Sequence, residues 1–94
     1  MKQVILYTMK GCPWCYEMKK QLKENKIKFH NRDIEKHSKE YDMFVELTGN
    51  DYVPAFMIVE MKDEEAVGAQ MLVPEKDFDE IHEAIEKVQN LIKD

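Results

Sequence analysis

The alternation of apolar and polar residues predicts a strand, a helix and a second strand in the first part of the chain. Residues 4–7 form a continuous apolar run, which is typical of a strand buried on both faces. After Pro13, which suits a first helical turn, apolar residues recur at helical spacing until about Asn25, namely Cys15, Met18 and Leu22. Residues 26–30 alternate between polar and apolar side chains, so a second strand is expected there, continuing toward Ile34.

The next part of the chain predicts a helix and a β-hairpin. Ser38 can cap a helix that ends at Gly49, and the residues that share its apolar face are Tyr41, Phe44, Val45 and Thr48. Residues 55–59 form an apolar strand, and residues 62–65 form an acidic hairpin tip. A further strand is expected over roughly residues 67–73.

A terminal amphipathic helix completes the pattern. Asp77 and Glu80 have the spacing of a capping box, and the apolar stripe of this region contains Phe78, Ile81, Ile85, Val88 and Ile92. The element order is therefore β-α-β-α-β-β-α. A parallel strand pair joined by a right-handed crossover, followed by an antiparallel hairpin, predicts an α/β fold with a four-stranded mixed sheet and three helices on its two faces.

Composition fits a single domain that spans residues 1–94. The chain is 44% apolar and 35% charged, and it is large enough to bury a core without help from disulfides. No segment approaches the roughly 18–20 apolar residues of a membrane-spanning helix, and no small-residue cleavage site follows the short apolar run near the start. A cytoplasmic protein with no membrane partner is therefore the expectation.

Charge is distributed unevenly along the chain. The net charge is −5, yet residues 1–40 carry ten Lys or Arg against five Asp or Glu, whereas residues 41–94 carry four against fourteen. A pI near 5.2 argues against nucleic acid as a partner. The two signs can mark two solvated faces. Alternatively, the positive half favours a thiolate near its cysteines and attracts acidic partners.

Both cysteines of the chain lie in one tetrapeptide, Cys12-Pro13-Trp14-Cys15. Closing so short a loop removes little entropy from the unfolded chain, so stability is not their purpose. Two thiols three positions apart are typical of a redox pair or of half a metal site. A tetrahedral metal site would need further ligands from a second chain or from outside thiols.

Three features occur together in this sequence: a buried strand leads into the cysteine motif through residues 6–12, the motif opens a helix, and Val53-Pro54 enters the third strand. Together they resemble the glutaredoxin family of the thioredoxin-like fold, and the resemblance extends over nearly the whole chain. It implies a small dithiol–disulfide oxidoreductase that reduces protein or glutathione mixed disulfides. It implies no bound cofactor, with glutathione as a candidate co-substrate.

By this resemblance, Cys12 is the nucleophile and Cys15 is the resolving thiol. A cysteine at a helix N-terminus faces unpaired N–H groups and the positive end of the helix dipole, which favours the thiolate. Lys10 adds a nearby cation, and Pro13 shapes the first helical turn. Attack by Cys12 on a disulfide gives a mixed disulfide that the more buried Cys15 resolves. Trp14 is expected to lie exposed at the rim of the site.

The same resemblance implies a cis peptide bond before Pro54. Such a bond would leave the main-chain N–H and C=O of Val53 free to pair with an extended peptide or with glutathione. The chain departs from the usual family pattern at Tyr52, where threonine is common, and in lacking the paired glycines that usually precede the last helix. Asp77 lies in that region, where its carboxylate would repel a carboxylate of glutathione.

Two reductants stay open on these grounds. The Cys-Pro-aromatic-Cys motif favours a glutathione-coupled glutaredoxin. The missing glycines favour a redoxin that a thioredoxin reductase recharges and that serves a protein such as ribonucleotide reductase. Both alternatives fit a monomer that acts on disulfide-containing proteins. A hypothesis of another class is a metal or iron–sulfur binding module shared between two chains.

Overall fold

The computed structural model describes residues 2–93, which form three helices and four strands. In chain order these are β1 (Lys2–Thr8), α1 (Pro13–Glu24), β2 (His30–Asp33), α2 (Ser38–Thr48), β3 (Ala55–Lys62), β4 (Glu65–Leu72) and α3 (Ile81–Ile92). The predicted element order is confirmed. Within residues 2–93, none of the helices has both the length and the apolarity needed to cross a bilayer.

The four strands form one mixed sheet, as predicted, and their order within it is β2-β1-β3-β4. β1 pairs in parallel with β2, with Ile5 opposite His30, and antiparallel with β3, with Leu6 opposite Phe56. β4 pairs antiparallel with β3 through the hairpin. β1 is therefore an inner strand with neighbours on both sides, which explains why its residues 4–8 are all buried.

Helices cover both faces of the sheet and create two apolar clusters. The cluster under α1 and α3 includes Val4, Leu6, Met18, Leu22, Phe56, Ile58, Phe78, Ala84, Ile85 and Val88. The cluster under α2 includes Ile5, Tyr7, Tyr41, Phe44, Ala55 and Val73. Successive residues of β1 supply opposite clusters because side chains alternate across a strand. The apolar run at the start of the sequence thus supports both halves of the core.

The second strand starts later than the sequence pattern predicts. β2 covers only His30–Asp33, so the strand predicted to begin at residue 26 is wrong in its first half. Lys26 has a φ of 58° and Ile27 donates its N–H to the carbonyl of Leu22 at 2.9 Å, so the chain is still closing the end of α1. Ile27 packs into the cluster under α1 and α3. The alternating pattern therefore reflects core packing after a helix rather than strand pairing.

Two helix starts also differ from the predictions. Ser38 is the first residue of α2 and makes no cap hydrogen bond, so its predicted role as a cap is wrong. The capping box of α3 joins Glu80 to Glu83 rather than Asp77 to Glu80, because the side chain of Asp77 is bound to the turn before the helix. Gly49 ends α2 in the left-handed conformation, as predicted.

Candidate active site

β1 carries the chain to the candidate site at its C-terminal end. After Thr8 the chain turns through Gly11, whose φ of 73° lies in the left-handed region that glycine adopts without strain. Cys12 is the N-cap residue of α1, and Pro13 occupies the first helical position, where a missing N–H costs nothing. The cysteine motif therefore lies at the positive end of the α1 dipole.

The two cysteines form a disulfide across the first turn of α1, with their Cα atoms 5.2 Å apart. The main-chain N–H of Cys15 donates to Sγ of Cys12 at 3.1 Å, and the N–H of Tyr16 donates to the carbonyl of Cys12 at 3.2 Å. A thiolate at Cys12 in the reduced protein would accept the same N–H of Cys15. That bond and the helix dipole both stabilise negative charge on this sulfur.

Burial distinguishes the two sulfur-bearing residues. Cys12 is 8% exposed and Cys15 only 1% exposed, so Cys15 is the more buried of the two, as predicted. Trp14 is 52% exposed, which confirms its predicted position at the rim. Pro13 is exposed as well. An incoming sulfur therefore has better access to Cys12 than to Cys15.

Polar contacts fix the end of β1 that leads into the motif. Thr8 donates from Oγ1 to Oδ1 of Asn31 at 2.8 Å, and the buried Tyr7 hydroxyl donates to Oε2 of Glu40 at 2.5 Å. Glu40 is also paired with Arg32, so α2 is joined to both β1 and β2. Burial, and then the hydrogen bond and charge of Glu40, raise the pKa of Tyr7 well above its ordinary value, against an opposing effect of Arg32. Tyr7 therefore remains a protonated donor at neutral pH.

A cavity of about 370 Å³ opens beside the motif. Its lining consists of Trp14, Tyr52, Val53, Pro54, Pro74, Glu75, Phe78 and Asp79. The peptide bond between Val53 and Pro54 is cis, as the family resemblance implies. Among residues 2–93, the N–H and C=O of Val53 find no hydrogen-bond partner. They are therefore available to an extended ligand in this cavity.

The turn before α3 supplies part of the same lining. The carboxylate of Asp77 accepts the N–H of Val73 at 2.9 Å, and the N–H of Asp77 donates to the Val73 carbonyl at 3.0 Å. Glu75 donates its N–H to the carbonyl of Phe78 at 2.8 Å and has a φ of 71°, a left-handed conformation that is uncommon for glutamate. Phe78 is buried and packs edge-on against Phe56. The turn is thus closed by hydrogen bonds and anchored in the core.

The cavity brings together some of the predicted substrate-binding residues and excludes others. Those that line it are Trp14, Tyr52, Val53 and Pro54. Lys10 is exposed on the turn before the motif and Asp77 is bound to its own turn, so neither belongs to the lining. Glu75 and Asp79 line the cavity as well, although neither is among the residues predicted from the sequence. The signal that could have found them is the acidic composition of residues 75–79, just before the last helix.

A larger cavity and the possible metal ligands bear on where the chemistry takes place. A larger cavity of about 560 Å³ lies between the end of α2, β4 and α3, but no residue of the cysteine motif lines it. For residues 2–93, no group of three or more His, Cys, Asp or Glu side chains is placed to hold a metal ion. Because Trp14 of the motif lines the cavity of about 370 Å³, this cavity is the candidate place for a substrate of the two cysteines.

The mixed sheet, the disulfide at the start of the first helix and the cis proline at the start of the third strand define a protein of the thioredoxin-like class. Residues 4–61 match the glutaredoxin family, and the chain belongs to this family. The match includes the cysteine motif and Val53-Pro54. It ends before β4, the turn that closes the cavity, and α3.

Solved structures show the same fold. Glutaredoxin 1 from Francisella tularensis, solved in complex with cacodylate, has a TM-score of 0.57 and 24% identity, with both chains covered in full. The thioredoxin-like protein BC3987 has a TM-score of 0.55 and 25% identity, over 96% of this chain and all of that one. A thioredoxin from Thermus thermophilus has a TM-score of 0.53 and 14% identity, over 98% of this chain and 74% of that one. No curated protein matches the sequence.

Proposed function

We propose that this protein is a dithiol–disulfide oxidoreductase in which Cys12 attacks the substrate and Cys15 resolves the mixed disulfide. The observation that carries the proposal is the N–H of Cys15 directed at Sγ of Cys12, 3.1 Å away, at the N-terminus of α1. This donor and the helix dipole stabilise a thiolate at Cys12, and the thiolate is the reactive species. Membership of the glutaredoxin family supports the same activity.

In the reducing direction the protein begins as the dithiol. The Cys12 thiolate bonds to one sulfur of the substrate disulfide, and the other substrate sulfur leaves as a thiolate that takes up a proton. Cys15 loses its proton and attacks Sγ of Cys12, which forms the intramolecular disulfide and releases the second substrate sulfur as a thiol. The substrate gains two electrons and two protons. The protein is left as the disulfide seen in the structure, which an external thiol or a reductase must reduce again.

The cavity beside the motif is the place where we expect the rest of the substrate to lie. Val53 offers a free N–H and C=O there, and these can pair with an extended backbone in the manner of an added strand. The substrates that fit are disulfides in extended or loosely folded protein segments, and mixed disulfides of proteins with small thiols.

Two single substitutions test the roles of the cysteines. Cys12→Ser removes the attacking sulfur and should lower the reduction of hydroxyethyl disulfide by at least about a thousandfold. Cys15→Ser retains the nucleophile but cannot resolve the intermediate, so a mixed disulfide should accumulate. Intact-protein mass spectrometry would detect this adduct as added mass that a reductant removes. Normal turnover by the Cys12→Ser protein would exclude the proposed chemistry.

The reductant is a separate part of the proposal. Glutathione carries two carboxylates, and the cavity already contains Glu75 and Asp79. This charge favours recharging by a reductase protein over recharging by glutathione. The comparison to make is the rate at which the oxidised protein is reduced by glutathione and by thioredoxin reductase with NADPH. Faster reduction by glutathione would show that the reductant has been assigned to the wrong class.

A further inference from the structure

The cavity beside the motif combines aromatic surface with negative charge. Trp14 and Tyr52 both line it, and they are 52% and 56% exposed, so a large part of each ring faces solvent. Glu75 and Asp79 line it too, and both side chains are exposed. Among residues 2–93, neither carboxylate has a Lys, Arg or His partner. The cavity therefore presents two rings and two carboxylates that no described ion pair neutralises, while the cations at this turn, Lys76 and Lys87, lie outside the lining.

Aromatic faces and carboxylates attract the same kind of group. A Lys ammonium or an Arg guanidinium gains from the negative face of an aromatic ring and from nearby carboxylates at the same time. An anionic group would lose on both counts. We propose that this cavity binds the cationic side chain of a Lys or Arg close to the reacting cysteine of a protein substrate. Disulfides beside positive charge are then reduced faster than disulfides beside negative charge.

This inference rests on the proposed function, because it assigns the substrate class of the same site. Trp14 lies within the motif and lines the cavity, so the cavity begins two residues along the chain from the attacking Cys12. In an extended substrate, side chains two positions apart are separated by about 7 Å. Pairing of such a segment with the main chain of Val53 therefore carries a residue near the substrate cysteine into the cavity.

The turn brings the charged side chain of Glu75 to the cavity. Its φ of 71° is a conformation that glycine would adopt without strain, yet the residue carries a charged side chain that lines the cavity. Phe78 holds this turn in the core, so packing fixes the backbone from which the two exposed acidic side chains extend.

The test uses three peptides that differ only in the residues next to a single cysteine, which are Arg, Gln or Glu. Each peptide is prepared as its mixed disulfide with mercaptoethanol, which carries no charge. Protein reduced beforehand is mixed with each peptide, and its oxidation in a single turnover is followed by the fluorescence of Trp14, the only tryptophan of the chain. Released thiol gives a second readout. No recycling reductant is required.

We expect the Arg peptide to react about ten times faster than the Glu peptide at low ionic strength, with the Gln peptide in between. The ratio should fall as salt is added. In the double variant E75Q and D79N it should fall to about two. The matched control is D63N and E64Q at the hairpin tip, which changes the net charge equally but lies outside the cavity. This control should retain most of the ratio.

The possible results test the preference for cationic substrates separately from the proposed oxidoreductase function. Reduction of all three peptides at equal rates would overturn the inference and leave the oxidoreductase activity intact. An Arg-to-Glu ratio that survives in E75Q and D79N, or that falls equally in the hairpin variant, would assign the preference to the general field of the protein and would also overturn it. Failure to reduce even the Gln peptide would contradict the proposed function itself.

Discussion

The two sides of the reaction site are built in different ways. The thiol wall, residues 12–15, lies inside the segment that matches the glutaredoxin family, whereas the turn wall, residues 73–79, lies beyond the end of that match at residue 61. The thiol wall contains no carboxylate, but the turn wall contains three, at Glu75, Asp77 and Asp79. In the thiol wall, the main chain of a helix N-terminus stabilises negative charge on a sulfur. In the turn wall, the side chains themselves carry the negative charge.

Under the proposed function, this difference gives reactivity and selectivity separate structural origins. The N–H of Cys15 stabilises a thiolate whatever the substrate is, because it contacts only Cys12. Glu75 and Asp79 have no contact with either sulfur but line the cavity where the rest of a substrate would lie. A substitution in the thiol wall should therefore change the reaction of every substrate. A substitution in the turn wall should change the preference among substrates.

The aromatic residues of the two walls give the largest contrast in stability. Phe78 of the turn wall is 5% exposed and packs against Phe56, whereas Trp14 of the thiol wall is 52% exposed. Phe78→Ala should lower the free energy of unfolding by about 3–5 kcal/mol, because it removes a buried ring and leaves a cavity. Trp14→Ala should cost less than about 1 kcal/mol. Urea unfolding of the oxidised proteins measures both values.

A conservative variant checks this interpretation. Phe78→Leu keeps most of the buried apolar volume and should cost less than about 1.5 kcal/mol. If Trp14→Ala destabilised the protein as much as Phe78→Ala, the thiol wall would have a packing role that its exposure does not indicate. Burial would then no longer distinguish the contribution of Phe78 to stability from that of Trp14.

The end of β1, which leads into the thiol wall, is held by a hydrogen bond between Tyr7 and Glu40 that we call the polar anchor. Tyr7, at the end of β1, donates to Glu40, while the hydroxyl of the neighbouring Tyr41 is buried without a hydrogen-bond partner among residues 2–93. Tyr7→Phe should therefore cost about 1.5–3 kcal/mol at neutral pH, since it removes a hydrogen bond to a charged group. Tyr41→Phe removes an unsatisfied hydroxyl and should be neutral or slightly stabilising. Equal losses in both variants would contradict the polar anchor.

Alkaline pH adds a second measurement on the same pair. The pKa of Tyr7 is raised in the folded protein by burial and then by Glu40, and the pKa of Tyr41 is raised by burial and then by the charge of Asp51. An unfolded tyrosine ionises near pH ~10. Above that pH the unfolded chain releases protons that the folded protein retains, so stability falls as pH rises. Urea unfolding of Tyr7→Phe should show a weaker fall between about pH 9 and 11 than the parent protein.

Asp77 should affect the stability of the turn wall but not the charge of the cavity beside the motif, because its side chain is not part of the lining of that cavity. Its carboxylate accepts the N–H of Val73, which belongs to a residue only 1% exposed. Asp77→Ala should cost about 1–3 kcal/mol because it leaves a buried N–H unpaired. Asp77→Asn can still accept that hydrogen bond and should restore most of the loss in urea unfolding. Equal destabilisation by Ala and Asn would show that the charge, rather than the hydrogen bond, is what the turn requires.

The order of elements along the chain and the thiol wall could be predicted from the sequence because their signals are local. The apolar run of residues 4–7 indicates an inner strand, and Pro13 between two cysteines marks the start of a helix. The strand predicted from residue 26 was wrong because alternation has two causes, strand pairing and the packing of Ile27 after a helix. Periodicity alone does not distinguish them over so few residues.

The turn wall could not be predicted because its geometry depends on contacts that the sequence pattern does not reveal. Asp77 and Glu80 have the spacing of a capping box, and only the bond from Val73 to Asp77 shows that the side chain is already engaged. The sequence lacks the glycine pair that usually precedes the last helix in the family. The sequence shows that Glu75 and Asp79 belong to an acidic stretch, but only the folded turn shows that both line the cavity.

The smallest expected effect separates strain from charge at Glu75. Glu75→Gly relieves a φ of 71° and should raise stability by about 1 kcal/mol, whereas Glu75→Gln keeps the strained conformation and should leave stability nearly unchanged. Both variants remove the same charge from the cavity, so both should increase the rate with oxidised glutathione by about threefold. Thermal unfolding and single-turnover oxidation measure the two effects on the same samples. If only Glu75→Gly increased the rate, the conformation of the turn wall, rather than its charge, would control the reaction with oxidised glutathione. Selectivity would then depend on backbone geometry in the turn wall, as reactivity does in the thiol wall.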